Sequence, residues 1–278
     1  MADSDSLGSA LEIIVRTDPG KVRGHNEDSV FANRHQGIAI LADGMGGYKA
    51  GEVASSMATR LLSSEFEMAF KARAPYEVDA ITGQPFAHRC LIEKIAASNA
   101  AIFHASENHP QYSGMGTTLV TALFYDDRLT VAHIGDSRLY RLRGAEFGPI
   151  THDHSLLQEQ IDRGLITAKD ARRSQNKNLV TRALGVDSQV DAEIHDFSVR
   201  PGDIYLLCSD GLNDMVEDED IRATLLRLGS NLELAAMQLI QKANDNGGRD
   251  NISVILVKIL RSFPASKRWW SKLMGWLG

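Results

Sequence analysis

The sequence predicts an α+β domain built in layers, and three observations predict it. Two stretches of helical periodicity, one starting near Gly51 and one from about Ala87 to Ser106, lie between groups of strand-like runs. From Thr117 the apolar period falls to two, and several short runs follow one another. Two further helical stretches, about 217–228 and 232–244, precede a closing apolar run from Ile252 to Ile259. Helix pairs segregated between strand groups suit a sheet-based layered domain. Spacing alone leaves the order of the layers open.

Residues 1–10 read as a loose leader. Ile13 to Val15 starts a strand that Asp18-Pro-Gly20 turns, and the run Ile38 to Ala42 ends at Asp43. In the first helix Ala54, Ala58, Leu62 and Phe66 form one stripe, with Met57 and Leu61 beside it. The second turns Leu91, Ile95 and Ile102 inward, and residues 75–86, with two prolines and a glycine, connect the pair. Thr117 to Tyr125, Leu129 to Gly135, Leu139 to Arg143 and Phe147 to Thr151 are expected as consecutive strands, joined by turns at Asp126-Asp127 and Gly144. Residues 155–185 are polar and partly helical without an obvious core face, an excursion from the sheet. Strands return at 190–199 and 204–209, hinged by Pro201-Gly-Asp203. The expected domain spans 11–260, leaving 261–278 as a tail.

The chain has 278 residues and a net charge of −6, and neither a composition break nor a repeat divides it. That charge argues against nucleic acid as the main partner, because a phosphate backbone demands a basic surface. Cys90 and Cys208 both sit among apolar residues and are read as buried free thiols of a reducing cytosol rather than a disulfide. The first twelve residues lack the basic and apolar regions of a signal peptide. No apolar run approaches the roughly 20 residues that span a bilayer. A cytoplasmic protein is expected, peripheral at the inner membrane face if something tethers it.

Five short acidic segments punctuate the chain: Arg23-Gly-His-Asn-Glu-Asp28, Ala42-Asp-Gly-Met-Gly-Gly47, Gly135-Asp-Ser-Arg138, Ser209-Asp-Gly211 and Gly247-Gly-Arg-Asp-Asn251. Most adjoin an apolar strand-like run. A carboxylate at a strand end is expensive to bury unless something neutralises it. Several meeting at one point repel each other, and a divalent cation resolves both problems. Oxygen donors suit Mg²⁺ or Mn²⁺, and the scarcity of Cys and paired His argues against zinc. Two such ions about 4 Å apart can activate a bridging water and clamp phosphoryl oxygens, so the cluster points to phosphoryl transfer.

In this order, with Met115-Gly-Thr-Thr118 and His133-Ile-Gly-Asp-Ser-Arg138 between, the motifs resemble the metal-dependent PP2C (PPM) serine/threonine phosphatases in their compact bacterial form, over roughly residues 11–260. The resemblance implies a four-layer α-β-β-α sandwich, two antiparallel sheets each covered by a helix pair, with the metals at one end. It also implies that Asp43 bridges two core ions with the Gly44 carbonyl completing one shell, and that Asp210 and Asp250 hold the second ion. Asp28, beside Glu27, acts through waters, and Asp136 with Asp210 matches a third, weaker position. Arg23 falls where the family's phosphate-binding arginine sits, and a guanidinium fork fits two phosphoryl oxygens.

Taken singly, these residues have plainer readings. Asp28 or Asp136 can cap a turn, Asp250-Asn251 can follow a helix stop at Gly247-Gly248, and Arg23 can be a surface arginine. Their joint occurrence in family order favours the site. Members from higher organisms carry a histidine after the first Asp-Gly, where this chain has Met45, and many bacterial members carry one after Met-Gly-Gly, where it has Tyr48. The general acid is therefore Tyr48, water or none. His152-Asp-His154 has a rival reading as a transition-metal site, since alternate strand residues share a face; a turn leading into a flap at 155–185 is preferred. His133 is read as a hydrogen-bonded core histidine.

The activity implied is hydrolysis of phosphoserine and phosphothreonine in proteins by a metal-activated water, opposing a bacterial serine/threonine kinase, from a monomer. A small-molecule phosphatase on the same scaffold and a non-catalytic phosphoprotein-binding pseudo-enzyme are the alternatives. The tail holds all three tryptophans with Lys267, Arg268 and Lys272. Such an amphipathic segment suits a membrane surface or a groove on a partner, and the alternative is that it folds back over an apolar patch of the domain itself.

Overall fold

The strand Ile38–Met45 sorts its side chains to two faces, as period-two alternation requires. Ile38, Ile40 and Ala42 face one apolar cluster and Ala39 and Leu41 another. A strand with both faces buried belongs to an interior layer. The structure, a computed structural model, describes residues 7–47, 49–80, 83–167, 170 and 179–265.

Eleven strands are described: β1 (Leu11–Asp18), β2 (Asp28–Asn33), β3 (Ile38–Met45), β4 (Gly116–Thr117), β5 (Leu119–Tyr125), β6 (Arg128–Ile134), β7 (Arg138–Arg143), β8 (Glu146–Pro149), β9 (Glu193–Ser198), β10 (Ile204–Cys208) and β11 (Ile252–Ile259). One sheet has the order β2-β3-β5-β6-β9, with β4 paired to β3, and the other β1-β11-β10-β7-β8. Neighbouring strands run antiparallel. Helices α1 (Ala50–Ala72) and α2 (Phe86–Asn108) cover the first sheet. After the short α3 (Leu156–Asp162), helices α4 (Asp210–Asn213), α5 (Asp218–Leu228) and α6 (Leu232–Asp245) follow. Residues of α4, α5 and α6 pack on Tyr140, Leu206, Cys208 and Leu256 of the second sheet. Between the sheets Leu41, Val120, Phe124 and Val131 meet Leu139, Tyr205, Leu207 and Val257. These are the four α-β-β-α layers.

The expected stripe of Ala54, Ala58, Leu62 and Phe66 is fully buried, as are Leu91, Ile95 and Ile102. Five local expectations need correction. The segment 28–33, not read as a strand, is β2, because its backbone pairs residue for residue with β3. The run from Thr117 to Tyr125 is broken at Thr118, whose hydroxyl turns away to accept from Asp43 N–H at 3.0 Å. The strand expected at Phe147 to Thr151 ends at Pro149, and the one expected at 190–199 starts at Glu193. Finally, the excursion at 155–185 returns to the core: Leu184 is buried and pairs with Thr117.

The packed chain extends past 11–260 at both ends. Ala10 is buried and Leu7 packs into the core between the sheets. At the other end Phe263 N–H donates to Asp127 Oδ1 at 2.6 Å and Ala265 N–H to Asp126 Oδ1 at 2.9 Å. Cys90 and Cys208 are free and buried. Among the described residues, no helix is long and apolar enough to cross a membrane. The tryptophans of the tail lie outside the described residues.

Candidate metal centre

Antiparallel topology brings five carboxylates to one end of the sandwich. The start of β2 and the ends of β3 and β6 meet there, as do the end of β10 and the start of β11. Asp28 stands directly opposite Asp43 in register, so the two side chains share a face. Asp136 occupies the short link from β6 to β7, where Gly135 has φ +97 and packs so closely that a Cβ would lie 2.7 Å from the Thr118 methyl. Asp210 begins α4 at the end of β10, and Asp250 precedes β11. Gly44 is buried where the start of α1 presses on β3; a Cβ there would collide with the Gly51 carbonyl.

The carboxylates lie low in this cleft and repel one another. Burial first, then the charges of Asp28, Asp210, Asp136 and Asp250, push the Asp43 carboxyl well above the usual range. Burial, then Asp136 and Asp250, do the same to Asp210. Burial raises Asp28 to about 6, against hydrogen bonds led by Ser253 and Ser209. Burial, then Asp153, raises Asp136 to about 7. The Ser209 hydroxyl donates to Asp28 Oδ2 at 2.8 Å, yet Asp28 Oδ1 is buried with no hydrogen-bond partner. An orphaned carboxylate oxygen among like charges is suited to a cation, which would satisfy it and relieve the repulsion. The donor set is all oxygen and strongly anionic, so it fits Mg²⁺ or Mn²⁺.

Arg23 reaches into the rim of the cleft. Its Nη2 donates to Asp250 Oδ2 at 2.6 Å while its side chain stays about half exposed. That hydrogen bond, against partial burial, raises the Arg23 pKa further. All of the expected site residues, Arg23, Asp28, Asp43, Gly44, Asp136, Asp210 and Asp250, therefore meet at one end of the fold. Tyr48, a candidate general acid, lies outside the described residues.

The residues that aim the carboxylates were not singled out from sequence. Thr118 binds Asp43 N–H and also pairs with the Ser137 hydroxyl at 2.8 Å, linking the loops of Asp43 and Asp136. Asn251 accepts from Glu27 N–H at 2.8 Å and donates to His25 and Pro19 carbonyls, fastening the Arg23–Asp28 loop to β11. Asn251 adjoins Asp250 in its motif and Thr118 closes the motif Met115-Gly-Thr-Thr118, and membership of those motifs is the signal available in the sequence. Beside Asp136 and Asp210 opens a cavity of about 570 Å³, walled on one side by Leu157, Gln158 and Ile161 from the excursion after residue 155.

His152 and His154 do not converge on a shared point. His152 turns out to Asp162, its Nε2 3.2 Å from Oδ2, whereas His154 turns in toward His133 and Glu193. His133 is fully buried, and its Nε2 donates to the His152 carbonyl at 2.8 Å, a core histidine as expected.

Comparison with known proteins gives the same picture. The family model for protein phosphatase 2C matches residues 21–243. The serine/threonine phosphatase Stp of Listeria monocytogenes is 40% identical over 246 residues, which cover 87% of this chain and 94% of that protein. The crystal structure of the serine/threonine phosphatase Stp1 of Staphylococcus aureus is similar with a TM-score of 0.81 at 36% identity, covering 91% of this chain and 96% of that one. A structure of the catalytic domain of the phosphatase PstP in complex with two manganese ions is similar with a TM-score of 0.77 at 38% identity, covering 89% and 97%.

Proposed function

The chain belongs to the protein phosphatase 2C family, and on that premise we propose that it hydrolyses phosphoserine and phosphothreonine in proteins, in opposition to a serine/threonine kinase. Mg²⁺ or Mn²⁺ is the cofactor. Asp43, with the Gly44 carbonyl, Asp210 and Asp250 hold two core ions, Asp28 supports them through water, and Asp136 with Asp210 takes a weaker third. The observation that carries this reading is the convergence of five carboxylates, four of which, Asp28, Asp43, Asp136 and Asp210, have their proton affinity raised by burial and by neighbouring carboxylates, with Asp28 Oδ1 left unpartnered. When bound, the ions supply positive charge to the phosphoryl oxygens and make water nucleophilic near neutral pH.

The protein's own residues set the geometry. Ser209 and Asn251 fix the loops that carry Asp28 and Asp250. Arg23, at the exposed rim beside Asp250, would grip two phosphoryl oxygens once Asp250 is given over to a cation. The cavity beside Asp136 gives a peptide room next to the reacting centre. An assay with a phosphothreonine peptide and an aryl phosphate, each with Mn²⁺ and with EDTA, tests the reading. Cation-dependent turnover of both is expected. Peptide binding without turnover would establish the pseudo-enzyme, and turnover confined to small esters the small-molecule phosphatase.

A further inference from the structure

Outside the metal centre, one cluster of titratable groups has no part in the chemistry above: the buried His133 on β6 and His154 after β8, with the partly exposed Glu193 on β9. His154 Nε2 lies 3.1 Å from Glu193 Oε1, off the hydrogen-bond axis, and His133 Nε2 lies 3.9 Å from Oε2. Two features argue that the trio is not itself a cation site. Gly135 N–H donates to His154 Nδ1 at 3.2 Å, so the neutral ring carries its proton on Nε2, facing Glu193, and has no lone pair to offer there. The two imidazoles also stack, with centroids 4.9 Å apart and planes within 18°, so their in-plane lone pairs run side by side instead of converging.

The same hydrogen bonds give His154 a different task. Its backbone N–H donates to the Gly135 carbonyl at 2.9 Å while its ring accepts from the Gly135 N–H, so one residue brackets both polar groups of Gly135. Gly135 is the turn that delivers Asp136 into the cleft. The His154 carbonyl accepts from Thr181 N–H at 2.8 Å, and the next residue, Ser155, pairs with Val180. His154 thus ties the Asp136 turn to both ends of the excursion at 155–185. Glu193 favours the tautomer in which Nδ1 is free to accept.

We propose that His154, oriented by Glu193, is a positioning residue for the cation site at Asp136 and joins that site to the root of the flap. The inference rests on Asp136 being a cation ligand. Calorimetric titration with Mn²⁺ on wild type, His154→Asn, His154→Gln, Glu193→Ala, Glu193→Gln and Asp136→Asn tests it, together with amide hydrogen exchange at Gly135. Asn sets a carbonyl oxygen where Nδ1 stands and keeps the Gly135 bond; Gln reaches the Nε2 position and loses it. The weakest Mn²⁺ step should survive nearly unchanged in His154→Asn and fall about tenfold or more in His154→Gln, with the tighter steps unmoved. Glu193→Ala, at a half-exposed position, should weaken the same step, and Glu193→Gln, whose amide oxygen still faces the Nε2–H dipole, should restore it.

Equal effects of Asn and Gln at position 154, or a weak step untouched by every His154 and Glu193 variant, would overturn the proposal. Persistence of the weak step in Asp136→Asn would instead show that the ligand assignment is at fault. Gly135 exchange then decides the clamp by itself. Slow exchange in His154→Asn with fast exchange in His154→Gln upholds it, and equal exchange in the two removes it.

Discussion

Asp210 is held where its charge is least welcome, half-buried in the cleft and surrounded by Asp136, Asp250 and Asp214. A residue kept at such a position serves something other than the stability of the empty protein. Asp210→Asn should therefore abolish phosphate-ester hydrolysis in millimolar Mn²⁺ while leaving the melting temperature in EDTA equal to wild type or higher, because one repelling carboxylate is gone. Near wild-type activity would defeat the two-ion reading. Arg23 poses the complementary case. It neutralises Asp250 at 2.6 Å, a task that a cation bound at Asp250 would take over. Arg23→Ala should lower kcat/KM on a phosphopeptide by roughly one to three powers of ten, the worth of a charge-assisted bond of about 1.5–3 kcal/mol or somewhat more. Its Mn²⁺ affinity should hold or rise, since the competing guanidinium has been removed; unchanged kinetics would return Arg23 to the surface.

Among the elements, the segment from Ser155 to Leu184 combines a firm root with a short helix that is not buried. Ser155 caps α3 by accepting from Gln158 N–H and pairs with Val180, while Leu184 pairs with Thr117 in the core. The helix α3 between them buries none of its residues. Elements with little buried surface are the ones that move or recognise partners. Replacing residues 163–178 with a short Gly-Ser linker keeps both pairings. It should reduce kcat/KM on a phosphopeptide severalfold or more and leave aryl phosphate turnover close to wild type. Equal losses on both substrates would deny the segment a recognition role.

Two consequences belong to the whole molecule. Without metal, folded Asp28 and Asp136 hold protons up to about 6 and about 7, whereas an unfolded chain releases them near 3.8. Across that window the folded state binds more protons, so these groups stabilise it at acid pH and lose that contribution as pH rises through their folded values. In EDTA the protein should melt higher at about pH 5 than at about pH 7.5, with a shallower slope in Asp136→Asn, and Mn²⁺ should lift the neutral-pH value most. A flat profile would mean that the carboxylates do not share protons. The second consequence concerns the end of the chain. Since residues up to Ala265 are bonded to the Asp126-Asp127 turn, a deletion that spares the domain must begin at Ser266. Removing 266–278 should leave phosphopeptide turnover intact and abolish binding to anionic vesicles, where indoles and basic residues are favoured. Aggregation or unfolding of the shortened protein would instead make the tail part of the fold.

What the sequence determined by itself was everything that local pattern encodes: the two helix stripes, the period-two runs, and the five acidic turns with their order. Apolar periodicity dictates which face is buried, and an aspartate at the mouth of an apolar strand advertises a site wherever it lies. Tertiary structure decided what depends on partners distant in the chain. The segment 28–33 is weakly patterned and becomes a strand because β3 offers it a backbone ladder. Thr118 interrupts an otherwise regular strand because Asp43, 75 residues away, needs its hydroxyl. The pairing of His154 with His133 in place of His152 has the same origin. His152 and His154 are neighbours along the chain, but the closure of β6 against the segment after β8 turns one outward to Asp162 and the other inward to Gly135. Hydrogen-bond donors and buried charges find their partners in space, and a pattern along one strand of sequence carries no record of which will be in reach.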